Sequence, residues 1–382
     1  MSLDRLIAFF TSLKLSVVTL VLAMLLVFFG TLAQVERGLY QAQHEFFRSF
    51  LIYWGPPGAA WKVPVFPGGY LIGGVMLINL LAAHLRYYRT GWKHLGLVMI
   101  HFGLVLLLLG QLATDLLSVE STLHLREGET KNYTVVDRRA ELAVVDVTDA
   151  QHDRVVAIPQ RVLEHQTAIT HPELPFTVRV QRFMANSTVA NRRGNNAAPP
   201  ASDQGAGAQL TVQELPRVTA MDRRDVPSAL IEIGTPAGSQ GTWLVSEFID
   251  QPQRFTWQGR HYELSLRQRR DYTPHSLTLL EFRHDKYPGT EIPKNFSSRV
   301  RLRHPQTGED REVLIYMNNP LRYGGATYYQ ASFDTDNQGT ILQVVRNPGW
   351  LTPYVACVLV SLGLIWQFSL HLFNFLRQRR VG

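Results

Sequence analysis

A histidine inside a long uncharged apolar run is costly to leave unpaired, so its presence marks a candidate ligand, proton relay or cofactor contact. His101 is such a residue, in the run that begins at Leu95. His84 and His371 stand near the ends of two other apolar runs, and Arg86, Arg89 and Lys93 fill the short link that leads to the run of His101. Neutral imidazole ligates heme iron well, and basic side chains pair with anionic groups such as heme propionates. These residues define one candidate site with heme b as its cofactor. His101 is the candidate iron ligand, His84 and His371 are further heme contacts, and Arg86, Arg89 and Lys93 face the propionates. For His84 and His371 the alternative is an interfacial residue hydrogen-bonded to headgroups or water.

The elements that must carry these residues are helices. Spanning a bilayer core takes around 20 apolar residues as helix, because every backbone N–H and C=O must be satisfied within the segment. Four runs free of Asp, Glu, Lys and Arg meet that length: Leu15 to Ala33, Tyr70 to Leu85, Leu95 to Thr114 and Leu351 to Leu376. They predict transmembrane helices over about 15–33, 70–88, 95–116 and 349–376, with a basic tail at 377–382. The first run is read as a retained anchor, with a signal peptide as its alternative. Gly96, Gly103 and Gly110 recur every seven residues in the third run and form a smooth stripe for close helix packing. At about 100° per residue His101 points away from that stripe, together with His94.

Basic residues flank the runs on one side: Arg5 and Lys14, then Arg86, Arg89 and Lys93, then Arg377, Arg379 and Arg380. Positive charge marks the cytoplasmic face. The expected topology is multi-pass in a bacterial inner membrane, with both termini cytoplasmic and the segment 118–348 periplasmic or otherwise extracytoplasmic. The formal charge of +7 reflects these topology signals in part, and nucleic acid is not expected as a partner. The single cysteine, Cys357, lies in the fourth run, so the chain has no CxxC and is not itself a thiol oxidoreductase.

Between the third and fourth helices the pattern changes to short runs such as AELAVVDV, FTVRVQRF, HYELSLRQ, SLTLLEF and ATYYQASF, which read as strands separated by turn formers. The fold class is therefore four transmembrane helices with a large β-rich domain between helices 3 and 4. The Ala-, Gly- and Pro-rich stretch near 191–209 reads as a mobile insertion. The stretch from Tyr40 to Trp54 reads as an amphipathic surface helix or a packed loop. HEFF from His44 lacks the second histidine of a zinc HExxH motif, and no P-loop, GxGxxG or GxSxG is present. The histidines of the β-rich domain, His275, His284 and His304 among them, read as solvated or strand-surface residues. Pro320, Gly324 and Gly325 shape a turn, after which Tyr328 and Phe333 are expected on opposite faces of a strand.

Several segments together resemble the ResB family, a membrane subunit of the system II cytochrome c biogenesis machinery. They are SLKLSVVTLVLAMLLVFFGTLAQV near the start, HFGLVLLLLG in the third helix, YPGTEIPKNFSSRVRL from Tyr287, MNNPLRYGGATYYQASF from Met317 and NPGWLTPYVACVLVSLGLIWQF before and within the fourth helix. The resemblance implies heme delivery across the membrane and support for its covalent attachment to apocytochrome c, in company with a ResC-like subunit. It places a heme-contacting histidine in the third helix, at the position of His101. It also implies that the tryptophan-rich heme-handling motif belongs to the partner, so that this chain alone is an incomplete holocytochrome c synthase. The insertion near Asn195 departs from the family's shared core.

Two further function classes compete. One is a non-catalytic scaffold whose β-domain binds apocytochrome or a thioredoxin-like thiol reductant while the other subunit holds all the heme; membrane lipid is an expected contact in either case. The other is a sensor or transporter, for which neither a signalling domain nor an inverted repeat of helices is visible.

Overall fold

Long apolar runs in the sequence become long helices in the computed structural model, which describes residues 3–56, 61–87, 91–192, 199–218, 223–289 and 293–381. Two units are present. A helical one is built from the chain up to Ser118 and from Asn347 onward, and a β-rich one runs from Val119 to Arg346.

In the helical unit a short helix, α1 (Leu3–Phe10), precedes four helices long and apolar enough to cross a membrane: α2 (Leu13–Arg37), α3 (Gly69–Tyr87), α4 (Leu95–Leu117) and α5 (Thr352–Val381). Both the first and the last extend beyond the uncharged runs, to Arg37 and to Val381, because long basic side chains can sit at the polar boundary while the helix continues. Ser12 caps α2 by accepting from the Lys14 N–H at 3.2 Å.

Polar side chains lock this unit at both ends. Asn79 of α3 is 4% exposed. It donates to the Phe10 and Ser12 carbonyls at 2.7 and 3.2 Å and accepts from the Ser16 hydroxyl at 2.6 Å. At the other end Asp115 of α4 takes Arg48 at 2.6 Å and the Tyr70 hydroxyl of α3. Between α2 and α3, helix persists only from Leu39 to Phe47, the last turn widened to a π-helix. The following LIYW is instead a strand paired with Val63–Pro67, so the stretch read as an amphipathic helix or a packed loop is helical only in its first half. Its β-branched and aromatic residues alternate with a partner strand to pair with.

Glycine spacing decides how α4 packs. A methyl group on Gly96 would stand 2.7 Å from the Gly363 carbonyl, and one on Gly103 would stand 2.6 Å from Val360. Gly110 faces Thr352 in the same way. The seven-residue stripe is thus the contact of α4 with α5. Trp366 closes it at one end by donating to the Trp92 carbonyl at 2.9 Å, and Asn347 at the other by donating to Thr114 at 3.2 Å.

The β-rich unit is organised by two unusually long strands. Its main strands are β1 (Val119–Arg126), β2 (Thr130–Asp146), β3 (Arg154–Pro159), β4 (Thr177–Met184), β5 (Ser228–Thr235), β6 (Gly238–Ser246) and β7 (Gln253–Trp257). Then follow β8 (Arg260–Lys286), β9 (Pro293–His304), β10 (Glu309–Tyr316), β11 (Leu321–Tyr323), β12 (Ala326–Phe333) and β13 (Gly339–Arg346). The large sheet runs in the order β10-β9-β8-β2-β1-β13-β12-β11, with β7 added to β8 and β3 to β2. A second sheet, β6-β5-β4 with the short strand Ala168–Ile169, packs against one half of it.

Two separate apolar cores result. The first gathers Leu142, Val144, Leu264 and Leu266 of the long strands with Val178, Ile231 and Val245 of the smaller sheet. The second gathers Leu277, Leu279 and Phe282 of β8 with Leu125, Val300, Tyr328 and Leu342. Buried positions on β8 are even-numbered in the first core and odd-numbered at Leu277 and Leu279. Register shifts between Gln268 and Arg270 and between Tyr272 and Leu277 make the change, since each extra residue rotates the strand by one face. HYELSLRQ and SLTLLEF are therefore one strand, in which Pro274 sits at a bulge rather than at a break.

One expectation is corrected here. A bulge between Gln330 and Ser332 turns Phe333 back towards the second core, on the same side as Tyr328. In the stretch near 191–209, residues 193–198 lie outside the described residues, whereas 199–209 is packed on β6. Ser202 accepts from the Leu244 N–H at 3.1 Å, Asp203 from the Thr242 N–H at 2.6 Å, and the Ala206 N–H donates to Gln253 at 2.9 Å. Small residues hold this segment by hydrogen bonds, a signal that apolar patterning does not carry.

Candidate functional site

Residues on α3 and α4 meet at His84 and His101, whose ring centroids stand 5.9 Å apart with planes at 82°. With the glycine stripe of α4 against α5, the opposite surface of α4 is left for α3, and both imidazoles are half-buried between these two helices. A neutral imidazole ligates a metal through its one unprotonated ring nitrogen. Among the described residues no group of three or more His, Cys, Asp or Glu side chains is placed to hold a metal ion. Two imidazoles without a third protein ligand suit an iron that brings its own four equatorial nitrogens, as in a porphyrin. The apolar walls of α3 and α4 suit the porphyrin's hydrocarbon surface.

The other sequence-derived candidates go elsewhere. His371 is exposed on α5 and bonds Gln367 of its own helix at 3.1 Å, so it does not join the pair. Arg86 lies two residues beyond His84, about half a turn around α3, and lines a cavity with Ala8, Thr11, Ser12 and Leu13. It therefore shares the side of Asn79 rather than that of His84. Arg89 lies outside the described residues, and Lys93 is exposed in the short turn Trp92–His94. His44 contacts the Tyr40 ring, and the neighbouring Glu45 is taken by Arg37 and Gln41.

In the β-rich unit His275 departs from its expected strand-surface setting: it is 4% exposed. Its Nε2 is 2.8 Å from the Tyr328 hydroxyl, the Tyr323 ring meets it edge-on at 4.9 Å, and His304 stacks at 6.3 Å. Tyr323 in turn donates to Glu309 at 2.7 Å. The hairpin that closes over His275 is the two-residue turn Gly324–Gly325, both at positive φ, which pairs Tyr323 with Ala326. The NNPLRYGG segment is thus a lid of backbone over a buried imidazole whose Nδ1 has no partner. His275 shares its parity with Leu277 and Leu279, a period-two signal that places it on the core face. His284 is likewise half-buried, between the Phe296 and Phe333 rings at 4.7 Å each.

Burial pushes the His275 imidazole below its ordinary value, with His304 and Arg346 acting in the same direction and Glu309 against it. Burial pushes Tyr328 up to about 12, so it stays protonated. A depressed histidine favours the fold while the unfolded chain is also neutral, above a pH of about 6.5. As pH falls through that value towards the lower folded one, the unfolded chain takes up the proton first and stability is lost. Urea unfolding of the full chain in detergent should therefore give a lower midpoint at acid than at neutral pH. His275→Gln should flatten this dependence, and an unchanged slope in that variant would remove His275 as its cause.

The ResB-like family model matches residues 233–341, which run from β5 to the start of β13 and include His275 and both glycines of its lid. Protein NrfI of Wolinella succinogenes is 25% identical over 298 residues, which is 77% of this chain and 29% of that protein. The chain thus spans under a third of the length of this relative. The matched region lies wholly in the β-rich unit, and the longer alignment covers most of the chain at low identity. Four apolar helices and a β-rich insertion between the third and fourth accompany this match, and the chain carries a ResB-like region over residues 233–341.

Proposed function

We propose that this chain is a subunit of a cytochrome c biogenesis complex, in which α3 and α4 contact heme on its way across the membrane and the β-rich unit serves the attachment of that heme to apocytochrome c. The observation that carries this reading is the meeting of His84 and His101, two imidazoles drawn from separate helices of 19 and 23 residues and set ring to ring. Heme is the substrate here. Both thiols for its vinyl groups come from the client, since the chain's only cysteine is in α5.

A ResC-like membrane subunit is the proposed partner, and a thioredoxin-like reductant that keeps the client's cysteines free is a second. The basic clusters around Lys14, Lys93 and Arg379 support cytoplasmic termini and an extracytoplasmic β-rich unit. The size of that unit, and the position of the family match within it, favour one rival: a scaffold that binds apocytochrome while the partner holds all the heme.

Heme absorbance at equal protein separates the two. Wild type, His101→Ala and His84→Ala are each co-expressed with the ResC-like subunit and purified from membranes. A weakened or shifted Soret band in His101→Ala, restored in part by added imidazole, is the expected result. Identical spectra and equal cytochrome yield would leave the scaffold.

A further inference from the structure

The hairpin of Leu51–Trp54 with Val63–Pro67 presents an apolar surface that the cytochrome reading does not employ. Tyr53, Trp54, Trp61 and Val65 are each more than half exposed, and Leu51 and Val63 are exposed beside them. From Phe50 to Gly69 the sequence has one charged residue, Lys62. We propose that this hairpin is sunk into the headgroup zone of a lipid leaflet at the Arg37 end of α2, and that its partner is the lipid surface itself.

Its level along the helices points there. Phe47, just before the hairpin, reaches both neighbours: a methyl group on Gly30 of α2 would stand 2.8 Å from its ring, and one on Gly69 of α3 would meet its carbonyl. Gly30 lies seven residues before Arg37, so it stands about 10 Å short of that helix end. Ile52 of the hairpin shares a core with Leu26 of α2 and Ile72 of α3, against which Phe66, Leu22 and Ala23 pack. The hairpin therefore lies beside the span of α2 rather than beyond its end, along the stretch where α2 itself exposes Val27, Phe28 and Leu32. Its root is fixed. The Gly68 N–H donates to the Phe50 carbonyl at 2.9 Å and the Tyr70 N–H to the Ser49 carbonyl at 3.2 Å, so swinging the hairpin away would unpair the start of α3.

Two bounds set the depth. Among the described residues each of these strands pairs only with the other, and open strand edges are not left in hydrocarbon, where no water reaches their N–H and C=O groups. The ion pair of Arg48 with Asp115 at the root belongs to a polar zone for the same reason. Bulk water is the opposite bound, since it opposes a surface built of Tyr53, Trp54, Trp61 and Val65. The headgroup zone lies between and favours rings with an apolar body and a polar tip. Lys62 reaches lipid phosphates from there along its aliphatic stem. The placement rests on the helices crossing a membrane and not on heme.

Spin-label accessibility of the full chain in nanodiscs of phosphatidylcholine and phosphatidylglycerol tests it. Cys357→Ser removes the chain's only thiol, and one new cysteine then carries a nitroxide. Tyr53→Cys and Val65→Cys report on the hairpin, Met24→Cys on the middle of α2, and Gln306→Cys on an exposed turn of the β-rich unit. Collisions with oxygen rise, and those with a water-soluble nickel complex fall, as a label goes deeper into lipid. The oxygen-to-nickel ratio at both hairpin positions should fall between the high value of Met24→Cys and the low value of Gln306→Cys, with circular dichroism matching wild type. A hairpin ratio equal to that of Gln306→Cys would put the hairpin in water and overturn the proposal. Labels that meet water in the chain alone and are shielded from both reagents once a ResC-like subunit is added would give the surface to a protein partner instead. A low ratio at Met24→Cys would overturn the membrane span on which the placement rests.

Discussion

Replacing Arg267 by Met should destabilise the β-rich unit by about 3–5 kcal/mol, the usual cost of breaking a buried ion pair from one side. Arg267 and Glu141 face each other across β8 and β2, with Arg267 Nε donating to Glu141 at 3.0 Å, and Glu141 is 5% exposed. Loss of the guanidinium leaves that carboxylate buried without its counter-charge. The pair stands where the long strands pass from the first core towards the second, so its loss weakens the segment that both depend on. Glu141→Leu combined with Arg267→Met should recover most of the loss, because no uncompensated charge then remains. Urea unfolding of the full chain in detergent, followed through the fluorescence of Trp243 in the first core, measures both. A single variant as stable as wild type would mean that water reaches Glu141 when Arg267 is gone.

Gly103→Leu should part α4 from α5. Its first added carbon already falls 2.6 Å from Val360 and 3.0 Å from the Ala356 carbonyl, and the rest of the side chain has nowhere to go while the helices stay in contact. Overpacking of this kind costs about 1–3 kcal/mol when neighbours can shift, and a rigid backbone opposite raises the cost. Gly103→Ala should be milder, since the Val360 side chain can turn, while Gly73→Ala and Gly74→Ala on α3, with nothing within 4 Å, should be neutral or slightly stabilising. Thermal unfolding of the four variants in detergent ranks them. Equal midpoints for Gly103→Leu and Gly73→Ala would remove the stripe as the source of packing.

How much of this was legible differs by level. The four membrane-length helices follow from run length alone, because a bilayer imposes one solution on the backbone. The place of His84 near the end of its apolar run and of His101 within the next was readable too, but their contact depends on which face of α3 turns inward, and Asn79 decides that from a distance. Arg86 shows the same limit. It is two residues from His84 in the sequence and on the other side of the helix in space. In the β-rich unit, alternation reveals strands yet hides their bulges. Asp271–Pro274 resembles a break between two strands, and only the partner strand shows that β8 continues through it. His275 was misread for that reason, since its place on the core face is visible once it is counted with Leu277 and Leu279.

The pairing of β1 with β13 sets an order in time. Ser121 and Val344 are neighbours in the sheet but 223 residues apart in the chain. During synthesis the first strand of the unit is made long before its partner, and the second core cannot close until the last strand arrives. Contacts of such separation make folding slow, because the loop between them must be gathered first. Through that interval the edge of β1 offers unpaired N–H and C=O groups to any other strand. A holding factor during biogenesis, or a pause before release, would protect this protein more than one whose neighbours in space are neighbours in sequence.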